Sequence, residues 1–155
     1  VVRRVAVGLV TAEALCARLA RPAPQLPAGL ARRGIASACV DLSDGLVADL
    51  GHILETSRVG AVVQAAAIPR SAAYRQTCGA EGVGPALTFG DDYELCFTVP
   101  TSRAAGVVSR LMEIGVTATR IGEITAGPGL QVLDESGRPL AWPRGGFDHF
   151  ARKEP

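Results

Sequence analysis

Apolar residues Leu46, Leu50, Ile53 and Leu54 recur at the i, i+4, i+7, i+8 spacing of an amphipathic helix, with Asp49, His52 and Glu55 off the stripe. That pattern predicts a helix from Ser43 to near Gly60, and Ser43 is a fitting N-cap. Upstream, Thr11 to Arg21 has helical periodicity until the three prolines of RPAPQLP, Arg21 to Pro27, break it into a linker. Pro27 to Gly34 reads as a short helix ended by glycine, and Ile35 to Leu42 as a mostly apolar, buried strand. Gly60 to Ala66 reads as a second strand, Ser71 to Cys78 as a short helix, and Gly79, Gly82 and Gly84 as a loop.

The period then changes. In DDYELCFTV, Tyr93, Leu95, Phe97 and Val99 alternate with Asp92, Glu94, Cys96 and Thr98, the mark of a strand with one face in the core. Thr101 to Ile114 predicts a helix with Val107, Val108, Leu111 and Ile114 inward, followed by strands near Thr119 to Ile124 and Leu130 to Asp134 and a turn at Glu135 to Gly137. Strands interleaved with helices argue for an α/β (α+β) fold, a two-layer sandwich with a mixed β-sheet. The order of the strands is not legible at this level.

Length and charge narrow the function classes. The 155 residues fit one domain with a real core. Sixteen basic residues against fifteen acidic give a net charge of +1, which supplies no field for nucleic acid and no polybasic patch for a membrane. No stretch approaches the roughly 20 apolar residues of a membrane span. The four cysteines, Cys16, Cys39, Cys78 and Cys96, have no CxxC spacing and read as buried free thiols, which favours a reducing, cytoplasmic setting. The chain begins with Val1 rather than methionine, which points to a piece of something longer.

The candidate chemistry is acidic. VDLSDGLVADLGH places Asp41 at the carboxyl end of the expected strand and Asp44 in the first turn of the expected helix, so that both side chains can converge. Free N–H groups at a helix start favour an anion, Gly45 permits close approach, and two carboxylates beside a phosphate demand a divalent cation such as Mg²⁺. The competing reading is that the two acids merely cap the helix and favour its dipole. FGDDYEL, Phe89 to Leu95, sets Asp91 and Asp92 after a glycine at the mouth of a strand, where acids are also common on solvated ends. His52 and His149 form no metal pair, and neither a nucleophile elbow nor a GxxxxGK[ST] loop is present.

Taken together, ASACVDLSDGLVADLGHI (Ala36 to Ile53), ALTFGDDYELCFTVP (Ala86 to Pro100), RIGEIT (Arg120 to Thr125) and the terminal GFDHF (Gly146 to Phe150) resemble the carboxyl-terminal half of the thiamine-monophosphate kinase family, within the aminoimidazole ribonucleotide synthetase-like superfamily. RPAP, Arg21 to Pro24, resembles the segment that precedes this half. SDG recurs across the superfamily, whereas GDDYEL with a closing aromatic-DHF is specific to this kinase.

The resemblance implies the superfamily's C-terminal α/β domain over residues 28–155, preceded at 1–27 by a helix and proline-rich linker from an absent ATP-binding half. It implies transfer of the ATP γ-phosphoryl group to thiamine monophosphate, with Mg²⁺ as cofactor, a homodimer at full length, and an isolated chain that is inactive. By position, Asp41 and Asp44 would bind Mg²⁺, Ser43 would contact ATP, and Asp91 and Phe147 would contact the thiamine substrate. Two departures stand out: Phe89 replaces the first glycine of the usual GGEDYEL, and Asp91 is one methylene shorter than the usual glutamate. A superfamily relative with another acceptor, or a non-catalytic α/β module binding a small ligand or partner, are the competing expectations.

Overall fold

The computed structural model describes residues 9–142, with side chains from residue 15 onward apart from 80 and 81. Two helices lead, α1 (Leu9–Ala20) and α2 (Leu26–Ala31), separated by the proline-rich break; Pro27 stands in the first turn of α2, where its missing N–H costs nothing. Strand β1 (Ala38–Asp41) then runs toward α3 (Leu46–Ser57), which is followed by β2 (Gly60–Gln64), a short 3₁₀ turn and α4 (Ala72–Cys78). Ser71 caps α4, its hydroxyl accepting the Tyr74 N–H at 3.0 Å. Next come a second 3₁₀ turn, α5 (Val83–Thr88), β3 (Leu95–Thr98), α6 (Thr101–Glu113), β4 (Gly122–Thr125) and β5 (Gly129–Leu133).

The fold is mixed α/β with small sheets. The mixed sheet comprises three strands in the order β4-β2-β5, β2 antiparallel to β4 and parallel to β5. Strands β1 and β3 form a separate antiparallel ribbon, with Cys39 opposite Phe97 and Asp41 opposite Leu95. The expected single sheet is thus two.

Two apolar clusters explain the division. One joins Leu46, Leu50 and Leu54 of α3 to Ala61 and Val63 of β2, Val132 of β5 and Leu87 of α5. The other joins Ala28 and Ala31 of α2 to Val107 and Leu111 of α6, with Leu95, Phe97 and Val99 packed against it. The β1–β3 ribbon lies between them: Leu95 and Phe97 serve the second cluster, while Cys96 on the opposite face packs on the first. Within the strand the face expected to be polar is half-buried at Cys96 and Thr98, and Tyr93, which should have extended the apolar face, lies outside the strand and is exposed.

Other expectations need correction. The glycine-rich stretch after Cys78 is not a plain loop, because Leu87, fully buried, pins it as helix α5. Ile114 is 46% exposed beyond the end of α6 rather than inward. The cysteines are free, but Cys16 is exposed and the other three are only half-buried. Burial nevertheless raises the Cys39 thiol and pushes Cys96 up to about 11, so both are neutral near pH 7. No described helix is long and apolar enough to cross a membrane.

Leu87 is the contact through which α5 joins the core. Leu87→Ala is expected to lower unfolding free energy by about 2–5 kcal/mol in urea titration; a loss under about 1 kcal/mol would mean that α5 is not anchored there.

Candidate functional site

The ladder between β1 and β3 continues beyond the strands. The Leu42 N–H donates to the Glu94 carbonyl at 2.9 Å, the Tyr93 N–H to the Leu42 carbonyl at 2.8 Å, and the Asp91 N–H to the Ser43 carbonyl at 3.0 Å. These bonds lay the GDDY segment along the LSDG segment, and Asp91 (φ +65°) and Tyr93 (φ +52°) bend it through the left-handed region. Aspartate tolerates that conformation; a bulky tyrosine there carries strain of about 1–2 kcal/mol, of the kind that clusters at functional sites.

Two glycines make the approach possible. A Cβ at Gly90 would collide with the carbonyl oxygen of Ser43, and one at Gly45 would lie 2.8 Å from the Thr88 carbonyl carbon and 2.9 Å from its oxygen. Gly45 also has φ +110° and ψ 151°, a backbone region that side chains effectively exclude. Backbone thus meets backbone, and the two acidic motifs share one surface.

Asp41 ends β1 and is exposed, Ser43 and Asp44 are half-buried in the turn, and Asp91 is exposed on the facing loop. The Tyr93 hydroxyl donates to Asp91 Oδ1 at 3.3 Å. Its phenol is raised above the usual tyrosine value by the Asp91 carboxylate first, then by its hydrogen bond to Asp91 and slight desolvation, with Asp41 and Asp44 adding to the effect. Asp91 thus bonds that hydroxyl directly, and Asp41 and Asp44 add their negative field to it. The three carboxylates do not form a finished cage: among the described residues no group of three or more His, Cys, Asp or Glu side chains is placed to hold a metal ion.

The flank is also charged. Arg18 of α1 pairs with the Glu94 carboxylate and reaches the Asp92 carbonyl at 3.4 Å. Asp92 is raised by partial desolvation and by Glu94, with Arg18 opposing and Asp91 adding a smaller push. Phe89, 67% exposed, stands just before Gly90 on the same loop.

Several expected placements change. Ser43 does not cap α3: the N-cap is Gly45, the helix starts at Leu46, and Asp44 precedes the first turn rather than lying in it. The acid within the helix start is Asp49, 3% exposed, whose Oδ2 accepts the N–H of Asp44 at 3.0 Å and of Gly45 at 3.1 Å. It falls off the regular stripe, so periodicity assigned it to solvent; its position one turn into the helix from a glycine N-cap was the available signal. His52 is exposed. Phe147 and His149 lie outside the described residues.

Residues 11–135 match the family described as AIR synthase related protein, C-terminal domain. The chain belongs to this family. It is 42% identical over 139 residues to the thiamine-monophosphate kinase of Salmonella typhimurium, covering 88% of this chain and 42% of the relative. The crystal structure of the Stenotrophomonas maltophilia thiamine-monophosphate kinase superposes with a TM-score of 0.76 at 43% identity, over 82% of this chain and 40% of that one. A structure described as AaThiL complexed with AMPPCP and TMP gives 0.75 at 28% identity, over 95% and 44%. The chain is thus homologous to part of these kinases and spans about two fifths of their length.

The glycine contact generates a direct test. Gly90→Ala is expected to cost about 1–3 kcal/mol, the usual range for overpacking. Gly106→Ala, in helix α6 with nothing within 4 Å of the added Cβ, is expected to be neutral or to stabilise by up to about 1 kcal/mol. Urea unfolding of both variants measures the difference; equal stabilities would deny the close approach.

Proposed function

We propose that the chain is the carboxyl-terminal part of an ATP- and Mg²⁺-dependent kinase that converts thiamine monophosphate to thiamine diphosphate, and that it is inactive alone. Residues 28–155 would be the α/β domain, and 1–27 the helix and linker that join it to an amino-terminal half carrying most of the ATP site. The observation that supports this most is the clasp of the two acidic loops in a chain homologous to such kinases.

The residues suit Mg²⁺. Asp41 and Asp44 offer hard oxygen donors on one side, and Mg²⁺ commonly takes one or two carboxylates with water and phosphate oxygens completing its shell. When bound, Mg²⁺ neutralises phosphate charge and holds phosphates in place. Two carboxylates give an incomplete site, consistent with weak affinity in the isolated chain.

In this reading Asp41 and Asp44 hold the metal, Ser43 contacts ATP, and Asp91 and Phe147 contact the thiamine substrate. Tyr93, by donating to Asp91, orients that carboxylate. The acceptor is a phosphate monoester with a second pKa of about 6, already largely dianionic at neutral pH, so no general base is required. Repulsion between anionic phosphates is the obstacle, and positioning with charge neutralisation is the remedy. A cytoplasmic location and a homodimer at full length belong to the same proposal.

The test is thiamine diphosphate formation from thiamine monophosphate and Mg-ATP, by this chain and by a version extended with its upstream coding sequence. Only the extended version is expected to form product. Asp44→Asn within it is expected to lower kcat by about 10²-fold or more, since metal stabilisation of transition-state charge is worth several kcal/mol and each 1.36 kcal/mol is tenfold. Product from the short chain would overturn its inactivity. Product from neither would indicate another acceptor or a binding module, and normal turnover by Asp44→Asn would remove its metal role.

A further inference from the structure

The SDG turn is held from beneath by a group outside both motifs. Asp49 is the buried charged side chain among the described residues, and burying a carboxylate is costly unless hydrogen bonds compensate it. Its Oδ2 accepts from two backbone N–H groups, those of Asp44 and Gly45.

This is not the ordinary way to cap a helix. An N-cap side chain normally takes the N–H of the second or third helical residue. Here the N-cap is a glycine pressed on the Thr88 carbonyl, with no room for a capping side chain. Asp49, the fourth residue of α3, instead reaches back past the helix start to N–H groups of the turn itself. The backbone held is that of the acidic loop.

The consequence falls on one peptide group. The Ser43–Asp44 peptide donates its N–H to Asp49 at 3.0 Å and accepts, through the Ser43 carbonyl, the Asp91 N–H at 3.0 Å. Both ends of that peptide plane are fixed, one from helix α3 and the other from the GDDY loop. The direction in which the Asp44 side chain leaves the backbone is fixed with them.

We propose that Asp49 is a positioning residue, whose buried carboxylate locks the Ser43–Asp44 peptide so that the Asp44 carboxylate presents to a divalent cation together with Asp41. This rests on the reading of Asp44 as a metal ligand and adds the residue that preorganises it. Outer-shell partners of metal ligands typically contribute 10- to 100-fold in affinity. Asp49 itself touches neither cation nor substrate.

Mn²⁺ is the probe, because its paramagnetism broadens nearby amide signals in the ¹⁵N-labelled chain without requiring turnover. Wild type is expected to show saturable broadening centred on residues 41–44. Asp49→Ala is expected to weaken the apparent Mn²⁺ affinity by about 10- to 100-fold while the signals of β2 and β5 keep their positions. Asp49→Asn keeps a neutral acceptor and is expected to weaken it by only about fivefold.

Wild-type Mn²⁺ affinity in a folded Asp49→Ala variant would overturn the positioning role while leaving the metal reading of Asp44 intact. Absence of broadening at residues 41–44 in wild type even at a large excess of Mn²⁺, where the weak site of the isolated chain would still fill, would overturn both. If Asp49→Ala does not fold, Asp49→Asn decides: unchanged affinity in it overturns the proposal, and a loss near fivefold supports it.

Discussion

Everything at the acidic surface depends on one contact, the backbone of residues 88–91 lying directly on the backbone of residues 43–45. Gly90 against the Ser43 carbonyl, and Gly45 against the Thr88 carbonyl, bring the chains closer than any side chain allows. The Asp91 N–H closes the gap with a hydrogen bond to Ser43. Without it, the turn that carries Asp44 and the segment that carries Asp91 would be separate loops.

That contact is sustained from behind by packing. Leu87 of α5 and Leu46 of α3 belong to the same cluster, so the residues immediately flanking the two loops are anchored in one core. On the other side, the β1–β3 ribbon is gripped between two clusters, and its ladder runs on into the loops rather than fraying. Irregular backbone, with Asp91 and Tyr93 in the left-handed region, persists because regular structure over-determines it. The strain sits where the carboxylates gather.

Much of the framework is legible in the sequence because periodicity and packing agree. The α3 stripe of Leu46, Leu50, Ile53 and Leu54 is buried as its spacing predicts, Ser71 begins α4, and α6 buries Val107 and Leu111. The acidic motifs are also visible as sequence, and the AIR synthase related C-terminal fold follows from them. The misses share a cause: local rules yielded to tertiary contacts. Ser43 has the chemistry of an N-cap, but Gly45 takes the position because the turn needs its φ of +110°. Asp49 is polar and off the stripe, yet buried, because two N–H groups compensate it. Glycines 79, 82 and 84 suggest a loop, yet Leu87 finds a core site and organises a helix. The alternation through Tyr93 fails where the ladder bends.

The most direct measurement of the clasp is amide hydrogen exchange at Asp91 and Tyr93, read residue by residue in the intact chain. Neither lies in a regular strand, so protection there can come only from the bonds to Ser43 and Leu42. The clasp predicts exchange slowed to a rate comparable with that of the β3 amides bonded in the ladder to β1. Exchange at the rate of an unstructured loop, with β3 still protected, would contradict it and separate the two acidic motifs.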